Sequence, residues 1–243
     1  MTNTVQNLQV VVFSPASSTL DAEGIYNSVF GEPASSTQRN KFPQPQAPFL
    51  SIASGEKNNC IFNVQINEGR IDFFVRSAPR PSHDLELESL DADSAFNDII
   101  KNYKTVSTSF KDTYRLAIVT NSGAAFESEQ QSVDAFCQAI GIEALGENVV
   151  ATDLNFQRNK RSTLEGGAVI NFLERHNVDL LVLMQGNMPP PFAALIPGYQ
   201  PTPQKMLYVL NKMRDVNTVP DGRTFSEEEQ IETLNNLYSV IRG

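Results

Sequence analysis

Tryptophan is absent from the 243 residues, and cysteine and histidine occur only twice each. Cys60 and Cys137 stand far apart with no Cys-x-x-Cys spacing, which excludes a zinc ribbon and a dithiol redox centre. Free cysteine behaves as a small apolar residue, so both are expected as buried thiols, Cys60 in a strand and Cys137 on a helix stripe. His83 and His176 also lack ligand spacing, and no metal is expected. Long apolar runs are missing: the longest, Val178 to Met184, already contains Asp179, far short of a membrane span. Met1 to Asn7 carries neither a basic nor an apolar leader region, so a cytoplasmic location is expected. No Gly-x-Ser-x-Gly and no glycine-rich loop after a strand occurs, which argues against a hydrolase elbow and a dinucleotide fold. No cofactor is therefore expected.

What is present is an ordinary core-forming composition, 40% apolar and 19% charged. It suits a single structural unit over residues 1–243, with halves 1–145 and 146–243 sharing one core. The net charge of −9 opposes sequence-independent contact with nucleic acid and with anionic membranes. One local exception is Arg158-Asn159-Lys160-Arg161. It reads either as a solvated turn or as a contact for an acidic partner or a phosphate.

Periodicity supplies the elements. Leu8 to Phe13 is a β-branched strand stopped by Ser14-Pro15. A helix over about Leu20 to Phe30 ends at Gly31, and the proline-containing stretch Ala34 to Pro48 reads as a surface loop. Phe62, Val64 and Ile66, then Ile71, Phe73 and Val75, alternate with polar residues around Asn67-Glu68-Gly69. That is a hairpin with a left-handed glycine. Helices are predicted near Asp93 to Lys104, capped by Asp91 or Asp93, over Glu129 to Ile140, capped by Ser128, and over Glu227 to Ile241, opened by the capping box Ser226 and Glu229. Strands are predicted at Tyr114 to Thr120, Val149 to Phe156, Val178 to Gln185 and from Met206 toward Val216. Ala168 to His176 fits both a helix and a strand. Strands grouped ahead of helices point to an α+β fold, an antiparallel sheet with helices packed on one face and a loose duplication of a β-β-β-α unit.

Few constellations could carry chemistry. Asn121-Ser122-Gly123 reads as a strand-ending turn, Gly166-Gly167 as a turn, and the acidic run Asp84, Glu86, Glu88, Asp91 and Asp93 as a solvated connector without calcium-loop spacing. Asp72 and Arg70 are expected to pair on the hairpin. Asp153-Leu154-Asn155-Phe156-Gln157, the Arg70-Ile71-Asp72 hairpin and Asp215-Val216-Asn217-Thr218 before the last helix resemble features of a sporadically distributed group of uncharacterised bacterial proteins of about this length. The resemblance implies no site residues. It does imply mobile genes, and so a part in phage defence or toxin–immunity systems.

Two functions are weighed. The first is a non-catalytic interaction subunit of a bacterial multi-protein system, binding another protein or itself. Its expected contacts are Met188, Phe192, Leu195, Ile196 and Tyr199 in the proline-rich stretch Asn187 to Pro203. Arg158, Lys160 and Arg161 are the second expected group. The alternative is an enzyme whose site assembles from Asp72, Asp153, Arg70 and Arg158. A nucleic-acid module would need a basic stripe that composition does not show.

Overall fold

The computed structural model describes residues 4–79, 86–146, 153–184 and 203–243. One antiparallel sheet runs through them, in the order β2-β3-β4-β5-β1-β6-β9-β8-β7. Its strands are β1 (Thr4–Phe13), β2 (Ser36–Arg39), β3 (Ser51–Lys57), β4 (Cys60–Asn67), β5 (Arg70–Ser77), β6 (Arg115–Phe126), β7 (Asn155–Thr163), β8 (Val169–Met184) and β9 (Pro203–Thr218). The helices are α1 (Ala22–Phe30), α2 (Ala92–Ser107), α3 (Glu129–Ile140) and α4 (Glu227–Arg242). The expected α+β class, an antiparallel sheet with helices on one face, is the observed one.

On either side of the central β1–β6 pair the chain takes the same path. A central strand leads to a helix, then to a run of strands that starts at the sheet edge and ends beside the first strand, then to a second helix. On one side this is β1, α1, β2 to β5 and α2; on the other it is β6, α3, β7 to β9 and α4.

Period-two alternation decides which side chains meet the helices. Leu8, Val10 and Val12 of β1, Phe62, Val64 and Ile66 of β4, and Ile71, Phe73 and Val75 of β5 are all essentially inaccessible. They pack with Ile25 and Val29 of α1, Phe96, Ile99 and Tyr103 of α2, and Leu234 and Leu237 of α4. A smaller cluster joins Ala124, Phe126 and Leu210 to Val133, Phe136 and Cys137 of α3. The unbroken β6–β9 register puts Leu116, Ile118, Ala124 and Phe126 on one face, so all four helices lie on that face. Burial of Cys137 agrees with expectation, whereas Cys60 is only half-buried.

Local signals explain the helix ends. Ser128 accepts from the backbone N–H of Gln131, and Gly141 closes α3 at φ +77°. At α4 the Ser226–Glu229 box is complete in both directions. Asp91 caps α2. Gly55 in β3 is required by close approach: a Cβ there would lie 2.8 Å from Cζ of the buried Tyr26 in α1.

Several expectations are corrected. Asn121-Ser122-Gly123 is not a turn but the middle of β6, held by β1 and β9 on both sides, with Asn121 donating to Asn7 Oδ1 at 2.7 Å. The loop Ala34 to Pro48 contains the short edge strand β2. Ala168 to His176 and Val178 to Gln185 are not separate: Val169–Met184 is one strand paired with β9 along its length. Of the strand expected at Val149 to Phe156, residues 149–152 lie outside the described residues; β7 runs from Asn155 to Thr163, so Arg158 to Arg161 is strand rather than turn. In the β4–β5 hairpin Asn67 pairs with Arg70, which narrows the turn to Glu68 and Gly69, the latter at φ +73°. His83 and the loop candidates Met188, Phe192, Leu195, Ile196 and Tyr199 lie outside the described residues.

Candidate functional site

Three features stand out once side chains are assigned to faces. The first is a charged row under the helices. Register aligns Arg158, Glu174 and Arg214 across β7, β8 and β9, with His176 and Lys212 on the next row. Glu174 is 4% exposed. It receives Arg158 at 2.6 Å, Lys212 at 3.2 Å, Arg214 at 3.3 Å and His176 Nε2 at 3.4 Å. Burial alone would raise its carboxyl, but the Lys212 charge and the hydrogen bonds from Lys212, His176 and Arg158 outweigh this and hold it at about 2. His176 is pushed below its ordinary value by burial, against the pull of Glu174. Its Nδ1 has no hydrogen-bond partner among the described residues. Arg214 also donates to the Ile241 carbonyl at 2.6 Å, which ties the row to the end of α4. Beside it a concavity of about 390 Å³ is lined by Thr120, Ser122, Lys212, Arg214, Tyr238 and Arg242. Every charge in this row is committed to Glu174 or to backbone, so the arrangement locks three strands to a helix.

The second feature is the opposite sheet face, which no described helix covers. Its rows are dominated by amides, arginines and scattered apolar groups. One runs Asn63, Phe74, Gln9, Val119, Asp215 and Leu173 from β4 to β8. The amides are knitted together: Asn171 and Arg115 both donate to Asn217 Oδ1, and Asn177 and Asn211 both donate to Asp179. Arg70 and Arg115 lie over the Phe13 ring, at 5.5 and 4.9 Å from its centroid. Toward β3 and β4 the face is hollowed, with a concavity of about 660 Å³ lined by Gln9, Ile52, Gln65, Arg70, Asp72 and Phe74.

The third feature is the β7 edge. β7 pairs with β8 through nine residue pairs, and no described strand pairs with its other side. Arg158 is engaged by Glu174 and Arg161 donates to Asn171 Oδ1 at 3.2 Å, while Lys160 has no partner among the described residues.

The alternative enzyme set does not assemble. Asp72 is buried and saturated, accepting from Gln9, Asn67 and Arg70 at 2.7–3.0 Å. Asp72 and Arg70 sit on the open face of β5, while Arg158 sits on the helix face of β7. Five strand steps separate those strands, about 24 Å at the usual spacing. Asp153 is exposed just ahead of β7. The expected Arg70–Asp72 pairing is present. The Glu174 row escaped the sequence reading because its members come from three strands; the alternation Phe172, Glu174, His176 facing Lys212, Arg214, Val216 was the available signal. Among the described residues no group of three His, Cys, Asp or Glu could hold a metal, and no helix is long and apolar enough to cross a membrane.

Comparison with known proteins adds no relative: no family model, no curated protein and no solved structure matches the chain.

Proposed function

We propose that this chain is a non-catalytic interaction subunit that holds another protein against the uncovered side and edge of its sheet. One observation carries the reading: all four described helices stand on one face, and the other face carries amides and arginines tied by hydrogen bonds on β4, β5, β1, β6, β9, β8 and β7. Side chains already fixed by mutual hydrogen bonds lose little entropy when a partner docks. The saturation of Asp72 and of Glu174 further supports a binding role, since neither carboxylate is left to act as a base. The partner belongs to the same bacterial multi-protein system, with phage defence or toxin–immunity as the setting the sequence resemblance implies.

The test is the mass of the tagged chain purified from its native cells, read by size-exclusion chromatography with light scattering. The reading expects a stable species heavier than the 26.9 kDa monomer. A bare monomer under every purification condition overturns it.

A further inference from the structure

We infer that β7 is a strand-addition site: an acidic, extended segment of the partner pairs with its outer edge as a tenth strand. This rests on the interaction reading above and names the chemistry of the partner. The argument begins with the two ends of the sheet. An open edge exposes unpaired backbone N–H and C=O groups, and proteins normally blunt it by keeping the strand short, by charge or by proline. The β2 edge is blunted by length, with four residues. The β7 edge is neither short nor interrupted: it has nine residues in unbroken register with β8, without proline or glycine, almost every residue is exposed, and its protection is positive charge.

Charge sets what can pair there. β7 carries Arg158, Lys160 and Arg161 and no acidic residue of its own; Arg158 is taken up by Glu174 of β8, which leaves Lys160 and Arg161. Across β7, β8 and β9 the count is seven Lys and Arg against three Asp and Glu, in a chain whose net charge is −9. The acid excess therefore lies elsewhere, and this end of the sheet is a basic island. A second β7 placed against the first would bring like charges together, so self-pairing is opposed. An acidic strand meets the reverse situation: backbone hydrogen bonds supply affinity, and carboxylates on neighbouring residues, which point to opposite faces, meet Lys160 on one side and Arg161 on the other. Nucleic acid is the other polyanion a basic edge could attract, but it cannot continue a backbone ladder, and the acidic remainder of the molecule repels it.

The experiment selects binders for the full chain from a displayed library of random short peptides, then measures the best by fluorescence anisotropy. The expected winners carry neighbouring acidic residues, one for each face, set among β-branched residues. They bind about tenfold or more weakly to the Lys160→Glu/Arg161→Glu chain, the size of effect a lost close charge pair produces. They also lose binding when alternate amides are N-methylated, which keeps the charge and removes the ladder. Arg158 is left in place so that the Glu174 row stays intact, and an unchanged melting temperature verifies folding. Winners without neighbouring acidic residues, or acidic winners indifferent to N-methylation, overturn strand addition. A single-stranded oligonucleotide outcompeting the peptides overturns it too. If the native complex forms and is unaffected by Lys160→Glu/Arg161→Glu, this inference fails while the interaction reading stands. If no complex forms at all, the interaction reading fails.

Discussion

The two halves of the sheet share a path and differ in how deeply they are held. Beside β1, strands β3, β4 and β5 lie under α1 and α2, and every helix-facing residue of β5 is buried. Beside β6, strands β9 and β8 have α3 and the end of α4 above them, and β7 is exposed through nearly its whole length. The first half is organised by apolar burial, and the second by a smaller apolar cluster under α3 together with the Glu174 row. The comparison teaches that a shared path does not give equal burial, and the side chains delivered by alternation are expected to decide which strands open first.

The largest expected effect is in the deep half. Phe73→Ala removes a fully buried ring that meets Tyr103 and Phe110 at centroid separations of 6.2 and 6.3 Å. It should cost about 3–5 kcal/mol in urea denaturation. Phe156→Ala in the half-buried start of β7 should cost clearly less; equal costs would break the contrast between halves. Glu174→Gln comes next, at about 2 kcal/mol at neutral pH, below the figure for a fully buried pair because Arg158 is half-exposed. The folded pKa of Glu174 is depressed, so its contribution is complete above the ordinary value of 4.5 and is lost as pH falls through about 2. The variant should flatten the acid limb of stability in that window. The depressed pKa of His176 has the same sign: its contribution is complete above 6.5 and fades as pH falls below it, because burial penalises the protonated ring.

Gly55→Ala sharpens the picture of α1 against β3. The added methyl meets Tyr26, and overpacking there should cost about 1–3 kcal/mol by chemical denaturation. The smallest effect is Ser226→Ala, which removes half of the capping box of α4 and should lower stability by about 1 kcal/mol in a thermal melt.

Much of this architecture was legible from the residues. All four helices were placed, because Gly31, Ser128, Gly141 and the Ser226–Glu229 box are local signals that no tertiary contact had to supply; the cap of α2 stayed between Asp91 and Asp93, and Asp21 as the cap of α1 was not read. The alternating β4–β5 hairpin was legible for the same reason. The second half was harder. Arg158 to Thr163 has no apolar residue to alternate, and its strand state comes from pairing with β8, so Arg158 to Arg161 read as a turn or a contact while only the start of the strand, to Phe156, was legible. Asn121-Ser122-Gly123 carries turn chemistry that two flanking strands override. Glu174, His176, Lys212 and Arg214 gain meaning only from register between distant strands. Arg158, Lys160 and Arg161 were singled out as contacts; all three lie in the edge strand β7, where Arg158 is engaged by Glu174.

Hydrogen–deuterium exchange, followed residue by residue in the chain alone and with a selected acidic peptide, tests the account most directly. In the chain alone, β4 and β5 amides should exchange slowly and the outward-facing amides of β7 rapidly. On binding, protection should rise along β7 and leave β4 and β5 unchanged. Exchange in free β7 as slow as in β4, or peptide binding that protects another surface while β7 stays fast, would contradict the claim that this edge is where the partner adds.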